Sequence, residues 1–437
     1  MNRRAFLTTA PAMAVIPAIS PSLASAQDLS LSQPPKRSQP AKKHLAVITT
    51  VYGYLSHAYH IAGRFINGYQ RNGQHHFPAS DIASMCVEQI GPKDLSVGIA
   101  KTNGIRHCKT VEDALTLGTG KLAVDGVLLI AEHGNYPYNP KGQKLYPRYE
   151  LFQQVVKVFA DSGRVVPVFN DKHLSYDRKK GFEMVATAKK MGFPLLAGSS
   201  LPVTWRRPEI EIPLGKKINE AMVVGPGELE IYGIHQLEPL QAMVERRTDG
   251  QQGVKRVEYL EGEAVWKAGD DKRWSWELLE SCLGRSQSRN VGDPKENCKH
   301  FTSPPAWGYS LPSPRAFLIE YRDGLKATVL QLDGHVSDMT FAAHVDGEKK
   351  PASTLFWLPP PPGAAFLEAL AIHAETMMDT GKSPLPVERT MLTGGILDWV
   401  LESRVQKKPL ETPDLDVTYS PPKDSGFMRG DYVTNPG

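Results

Sequence analysis

From Leu45 onward, short apolar runs alternate with stretches whose apolar positions recur every three or four residues. Leu45–Ile48 is a compact apolar run that predicts a buried strand, and Ser56–Tyr69 then predicts a helix. Ile82–Val87 predicts a second strand, Val97–Asn103 a short helix, and Gly104-Ile105 a return segment. Thr110 is placed as an N-cap with Asp113 at the third helical position. Val124–Ile130 is a strong strand pattern. Tyr149–Ser162 carries Phe152, Val155, Val156 and Phe159 at helical spacing and ends at Gly163. Val165–Phe169 is a strand, Lys180–Met191 a helix and Pro194–Gly198 a further strand. Continuous apolar strands between amphipathic helices imply an α/β doubly wound parallel sheet covered on both faces. Ligands on such sheets sit at the strands' carboxyl ends. That directs attention to Thr49–His57, Glu88-Gln89, Glu132-His133 and Asn170–His173.

The second half has a different rhythm. Ile218–Val224, Arg256–Trp266, Ala316–Tyr321, Lys326–Gln331 and Thr340–Val345 read as strands, with turns at Asp323-Gly324 and Asp333-Gly334. Tyr232–Glu245, Phe366–Asp379 and Val387–Val405 read as helices, and Pro359–Pro362 as a rigid spacer. The expectation is an α+β part with a mostly antiparallel open sheet. The organisation that follows is a first domain over 44–208, a second over 209–410 and an irregular tail over 411–437 that wraps over the body.

The N-terminus changes the picture. Arg3-Arg4 precede Phe6-Leu7, an apolar run interrupted by Pro11 and Pro17, and the small-residue pattern Ala24-Ser25-Ala26. This is the layout of a twin-arginine signal over 1–26, too short and broken for a membrane span. It implies passage through the twin-arginine export machinery in a folded state, to a periplasmic or secreted destination. Residues 27–43, rich in Ser, Pro, Gln and Lys, read as a flexible leader. Cleavage after Ala26 would lower the formal charge from +4 to +2 by removing Arg3 and Arg4, which gives no ground for nucleic-acid binding. The four cysteines form no C-x-x-C pair, so a zinc site is not expected. Cys282 and Cys298 are close enough to bridge in an oxidising compartment, or both remain thiols.

Several segments resemble the Gfo/Idh/MocA oxidoreductases, two-domain enzymes that use NAD or NADP on sugars and cyclitols. Asp125–Leu129 matches the family's Asp-x-Val-x-Ile strand with Leu129 for Ile. Gly163–Val166 leads to Asp171-Lys172-His173 where the family has Glu-Lys-Pro. Gly233-Ile234-His235-Gln236-Leu237-Glu238 matches Gly-x-His-x-x-Asp with Glu for Asp. The resemblance implies a Rossmann-like first domain, a NAD or NADP cofactor and a carbohydrate-type substrate. It also implies a catalytic group of Lys172, His235 and Asp171, with pairing of two copies through the second sheet. The family's glycine turn is degraded: its three positions fall on Thr49, Val51 and Tyr54, with Gly53 one place out of register. Phosphate would then rest on the helix N-terminus and the hydroxyls of Thr49, Thr50 and Ser56. Gly53, His57, Glu88, Glu132 and His133 complete the expected cofactor contacts, Glu88 through a ribose diol. An Asp found in some members four residues before the histidine is Ile231 here, with Glu230 beside it.

In chemical terms, a lysine at a strand end can take the hydroxyl proton and steady an alkoxide. Alternatively it is a surface lysine in a loop. His235 can share that proton, or simply bond a backbone carbonyl. Glu238, Trp205 and Arg206 are the candidate substrate contacts, although the Arg206-Arg207 pair reads better as an interface salt bridge. Tyr136, Tyr138, Tyr146 and Arg148 suit sugar stacking or plain packing. His57, His60 and His133 with Glu132 form too loose a set to assign a metal. The leading expectation is an exported NAD(P)-dependent oxidoreductase. Its rival is a non-catalytic carbohydrate-binding relative on the same fold, and a third idea is a metal-dependent lyase or hydrolase.

Overall fold

The computed structural model describes residues 36–71, 73–301 and 313–430. The twin-arginine stretch lies outside them. The end of the expected leader is tied down: the Arg37 guanidinium donates to the carbonyls of Pro78, Phe65 (3.3 Å) and Ser80 (3.0 Å).

The first sheet comprises β1 (Lys43–Thr49), β2 (Ser80–Val87), β3 (Arg106–Cys108), β4 (Gly126–Ile130), β5 (Val168–Asp171) and β6 (Leu195–Gly198). Their order is β3-β2-β1-β4-β5-β6 and every pairing is parallel. Side chains alternate across the pleat. Leu45, Val47, Leu128 and Ile130 enter one core, while Ala46, Ile48, Val127 and Leu129 enter the other. The first core is built with α1 (His57–Asn67), the second with α3 (Val111–Thr116), α4 (Arg148–Ser162) and α5 (Arg178–Met191); α2 (Ser96–Asn103) leads into β3. Both faces are buried, which is why these strands read as unbroken apolar runs. Helix ends follow local chemistry. Thr110 accepts the Asp113 amide at 3.0 Å, and Gly163 closes α4 at φ 61°. Helix α1 stops at Asn67, short of the expected Tyr69, which opens a small hairpin with Gln74–His76.

The second sheet holds β7 (Trp205–Arg207), β8 (Ile218–Gly225), β9 (Val254–Glu261), β10 (Arg315–Tyr321), β11 (Lys326–Gln331), β12 (Met339–Val345), β13 (Ala352–Trp357) and β14 (Leu410–Glu411). Its order is β14-β9-β10-β11-β8-β12-β13-β7, antiparallel throughout except for β8 with β11. Helices α6 (Leu229–Val244) and α11 (Val387–Gln406) cover one face through Ala221, Val223, Phe317 and Phe341. The sheet does not close on itself, as expected, and its other face is covered in part. Over Met222, Val224, Leu330 and Ala342 it is covered by α7 (Glu263–Asp270) and α8 (Trp276–Leu283), with α9 (Pro294–Lys299) following. This corrects the expected strand Arg256–Trp266. The strand ends at Glu261, Gly262 turns the chain at φ 61°, and Trp266 packs inward from α7. Cys282 and Cys298 are buried free thiols in this layer, so the bridge does not form.

Helix α10 (Phe366–Thr380) lies in the C-terminal half of the chain but packs on the first sheet. It comes so close that a Cβ on Gly126 would meet Met378 Sδ at 2.4 Å. The tail also returns: Thr418-Tyr419 pair with Gly250-Gln251, and the Met428 amide donates to the Val203 carbonyl. Trp274 is 2 % exposed and its indole N–H donates to the Val265 carbonyl at 3.0 Å. Trp274→Ala should cost about 3–5 kcal/mol in urea unfolding if the helical cover is part of the folded core. A loss below about 1 kcal/mol would show the cover to be a detachable flap.

Candidate functional site

At the carboxyl end of the first sheet, three adjacent βα turns converge. Each holds a non-glycine residue in the left-handed region: Leu55 (φ 59°) after β1, His133 (φ 69°) after β4 and Lys172 (φ 63°) after β5. Such conformations are costly for residues with a Cβ and cluster at functional sites. The Lys172 ammonium donates to Glu132 Oε1 at 2.7 Å, and the Arg148 guanidinium donates to Glu132 Oε2. All three side chains are at most 4 % exposed. Burial opposes the charge on Glu132, but Lys172, Arg148 and His57 outweigh it and hold its pKa well below the ordinary value.

Asp171, the last residue of β5, accepts from His57 Nδ1 at 2.7 Å. Burial works against the His57 charge, yet Asp171 and then Glu132 raise its pKa above the usual imidazole value. His133 is exposed, with its ring 5.2 Å from that of His57. Loss of solvation in the crevice and the charge on His57 bring its pKa down to about 4. His173 stands where the resembled motif has proline. Its Nδ1 donates to the Ser175 carbonyl at 2.8 Å, and its Nε2 lies 3.8 Å from Glu230 Oε1.

Helix α6 supplies the other wall. Glu230 is 2 % exposed, and burial lifts its pKa to about 7 against the pull of Arg148 and Lys172. His235 Nδ1 meets Ser199 Oγ at 2.6 Å. Burial, then the charge of Lys172, hold the His235 pKa well below the usual value, so its ring is neutral near pH 7. Above Arg148, the Tyr146 ring is approached by that guanidinium (4.9 Å) and by the Lys144 ammonium (5.3 Å).

Other expected contacts are placed elsewhere. Glu238 does not face a substrate: it is 2 % exposed, accepts from Thr393 Oγ1 at 2.6 Å and takes the Ser199 amide. Trp205 lies in β7 with its ring edge-on to Trp357. Arg206 is neither an anion contact nor an interface ion pair. It is 1 % exposed, donates to the carbonyls of Ile210 and Pro202, and sits 4.0 Å over the Phe427 ring. The Thr49 and Thr50 hydroxyls are committed to the carbonyls of Ile130 (2.8 Å), Glu132 and His133 (both 3.0 Å), so they tie β1 to β4 rather than reach outward. Ser56 caps α1 by accepting the Tyr59 amide at 3.2 Å. Gly53 bridges to Asp94, and a Cβ there would meet only Lys93 O at 3.6 Å, so it is not a close-approach glycine. Glu88, exposed at the end of β2, accepts from Tyr136 Oη at 2.7 Å. Among the described residues no group of three His, Cys, Asp or Glu side chains is placed to hold a metal ion. Sequence reasoning passed over Ser199 and the pairing of Arg148 with Glu132. The signal available for Arg148 was only its place in the aromatic cluster at the crevice mouth.

A dinucleotide is the group that the resembled fold implies, and the chain's donors fit one. An open groove of about 680 Å³ runs along the β1–α1 turn and the segment after β2, lined by Tyr52, Tyr54, Ser56, Ile90, Lys93 and His133. Tyr54 and Ile90 are 66 % and 57 % exposed, offering apolar surface to a planar ring. With the Tyr59 amide taken by Ser56 Oγ, the His57 and Ala58 amides at the start of α1 have no intrahelical acceptor, and the Lys93 ammonium adds positive charge.

Glu132→Gln should leave two buried cations short of their shared counter-charge and cost about 3–5 kcal/mol in denaturant unfolding at pH 7. Because the folded pKa of Glu132 is depressed, that difference should be complete above about pH 4.3, and it should close as pH falls towards the lower folded value. A pH-independent difference would contradict the ionised, doubly paired carboxylate.

No protein-family model matches the chain, and no curated protein matches it. Solved structures do. A myo-inositol 2-dehydrogenase from Lactobacillus plantarum is similar at 11% identity, over 85% of this chain and 99% of that one, with a TM-score of 0.52. GenD2 from gentamicin A biosynthesis, solved in complex with NAD, is similar at 13% identity over 86% and 98%, with a TM-score of 0.51. An oxidoreductase from Agrobacterium radiobacter, in complex with NAD+, L-tartaric acid and magnesium, is similar at 12% identity over 86% and 99%, with a TM-score of 0.50. Nearly the full length of each is spanned, and what these likenesses establish is the fold: a Rossmann-like parallel sheet followed by a mixed, mostly antiparallel one.

Proposed function

We propose that this chain is an NAD(P)-dependent oxidoreductase of the Gfo/Idh/MocA type acting on the CH–OH group of a sugar, polyol or related carbohydrate. The observation that carries the reading is Lys172. It is a buried ammonium held at φ 63° on Glu132, at a strand end beside a nucleotide-sized groove. The solved structures named above include a myo-inositol 2-dehydrogenase and proteins in complex with NAD or NAD+. Asp171-Lys172 and His235 are the residues through which the sequence resembles that family.

In this reading Tyr54 and Ile90 in the groove would hold the adenosine end, and the His57 and Ala58 amides with Lys93 would hold the diphosphate. The nicotinamide, when bound, supplies or accepts a hydride. Lys172 is the group that meets the substrate oxygen. In the reducing direction its ammonium would give that oxygen a proton as hydride reaches the carbon, and in the oxidising direction the Lys172 amine would take the hydroxyl proton back; Glu132 and Arg148 fix its position. His235, neutral near pH 7, offers a hydrogen bond to the same oxygen from the opposite wall. Asp171 acts through His57 and not on substrate, which makes it a positioning residue. The Arg3-Arg4 signal supports export by the twin-arginine route to the periplasm or beyond. A nucleotide acquired before export would give the folded passage its purpose.

The test is a panel of sugars and polyols with NAD and NADP, followed by nicotinamide absorbance, on wild type and Lys172→Met. The expected result is turnover by wild type, and loss of about 100-fold or more in kcat for the variant with nucleotide binding kept. Sugar binding with no dinucleotide affinity in either protein would overturn the redox assignment. It would support the carbohydrate-binding alternative, which the committed hydroxyls of Thr49 and Thr50 favour.

A further inference from the structure

Ser199 follows directly on β6, and its surroundings leave it little freedom. Gly198 before it sits at φ 135°, where a Cβ would meet Glu238 Oε2 at 2.8 Å and Thr390 Oγ1 at 2.9 Å. The Ser199 amide donates to the Glu238 carboxylate, itself held by Thr393 Oγ1 at 2.6 Å. The Ser199 hydroxyl oxygen accepts the Leu201 amide at 3.1 Å and stands 2.6 Å from His235 Nδ1. Glu238 and His235 are one turn apart on α6. The helix therefore grips the end of β6 at two points, Glu238 on the backbone and His235 on the side chain.

From this geometry we infer that Ser199 is a positioning residue for His235: its hydroxyl proton goes to Nδ1, which fixes the neutral ring as the Nε2–H tautomer and leaves Nε2–H as the ring's donor to a ligand. The hydroxyl has one proton. With the Leu201 N–H already accepted on the oxygen, a donated bond to Nδ1 satisfies both partners at 2.6 Å. Nδ1 being engaged, any bond His235 makes to a ligand passes through Nε2. A ring so held is a hydrogen-bond donor to a substrate oxygen and not a resting base, which leaves Lys172 as the group that exchanges the proton with that oxygen.

The inference rests on the proposed function for its meaning, yet its test needs no substrate. The full chain labelled with nitrogen-15 histidine would be recorded by two-bond nitrogen–proton correlation at neutral pH, with His235→Gln used to assign the ring. The expected spectrum for His235 is a single Nε2–H tautomer in wild type, a mixture with the Nδ1–H form in Ser199→Ala, and restoration of the single tautomer in Ser199→Thr. A wild-type ring in the Nδ1–H form overturns the inference, and so does a Ser199→Ala spectrum identical to wild type. If Ser199→Ala does not fold, the wild-type tautomer alone decides. A positive outcome in a protein that binds no dinucleotide would sink the redox reading while leaving the role of Ser199 intact.

Discussion

One carboxylate organises the crevice. Glu132 receives Lys172 on one oxygen and Arg148 on the other, with all three side chains out of solvent. Two cations share one anion, so the cluster keeps a positive excess close to where a ligand oxygen or phosphate would lie. Removing the anion from such an arrangement is far more damaging than its average contribution suggests, because the remaining charges have nowhere to go. The parallel sheet makes the meeting possible. β4 and β5 are neighbours in register, so Glu132 and Lys172 leave the sheet side by side. Arg148 arrives as the first residue of the helix that joins those strands.

The second layer of interactions sets proton occupancy. Asp171 raises His57, loss of solvation in the crevice and the charge on His57 lower His133, burial and the charge of Lys172 lower His235, and burial lifts Glu230. Several ionisable groups with divergent affinities for protons surround one point, the pattern that active sites show more often than structural ion pairs do. The second sheet takes part through α6, which contributes Glu230 and His235 and is anchored to the first sheet by Glu238 and Ser199.

Much of the first half was legible in the sequence. β1, β2 and β4 are buried on both faces, and continuous apolar runs follow from that. The helical layer α7–α9 was not legible. Its helices are short, and Arg256–Trp266 merges a half-exposed strand with a helix across Gly262, so periodicity gave no boundary. Strand-end placement located Glu132, Asp171 and Lys172 at the carboxyl ends of β4 and β5, because topology alone puts residues there. The substrate expectations for Glu238, drawn from its motif, and for Arg206, drawn from its charge, could not foresee their partners Thr393 and Phe427, which lie far along the chain. Ser199 had no motif of its own, and its partner His235 lies on a different element. Thr49 and Thr50 were correctly located at the strand end, but a hydroxyl's acceptor cannot be read from its own position, and theirs are backbone carbonyls of the β4 end.

The central claim is that a dinucleotide lies across the carboxyl ends of β1 and β4, with its reactive end beside Lys172. The most direct measurement is a difference electron-density map from crystals of the full chain soaked with NADP or NAD. The account predicts adenosine density against Tyr54 and Ile90, diphosphate density at the first turn of α1, and the nicotinamide reaching the Lys172–His235 side. An empty groove at saturating nucleotide, or ligand density away from these strand ends, would contradict it.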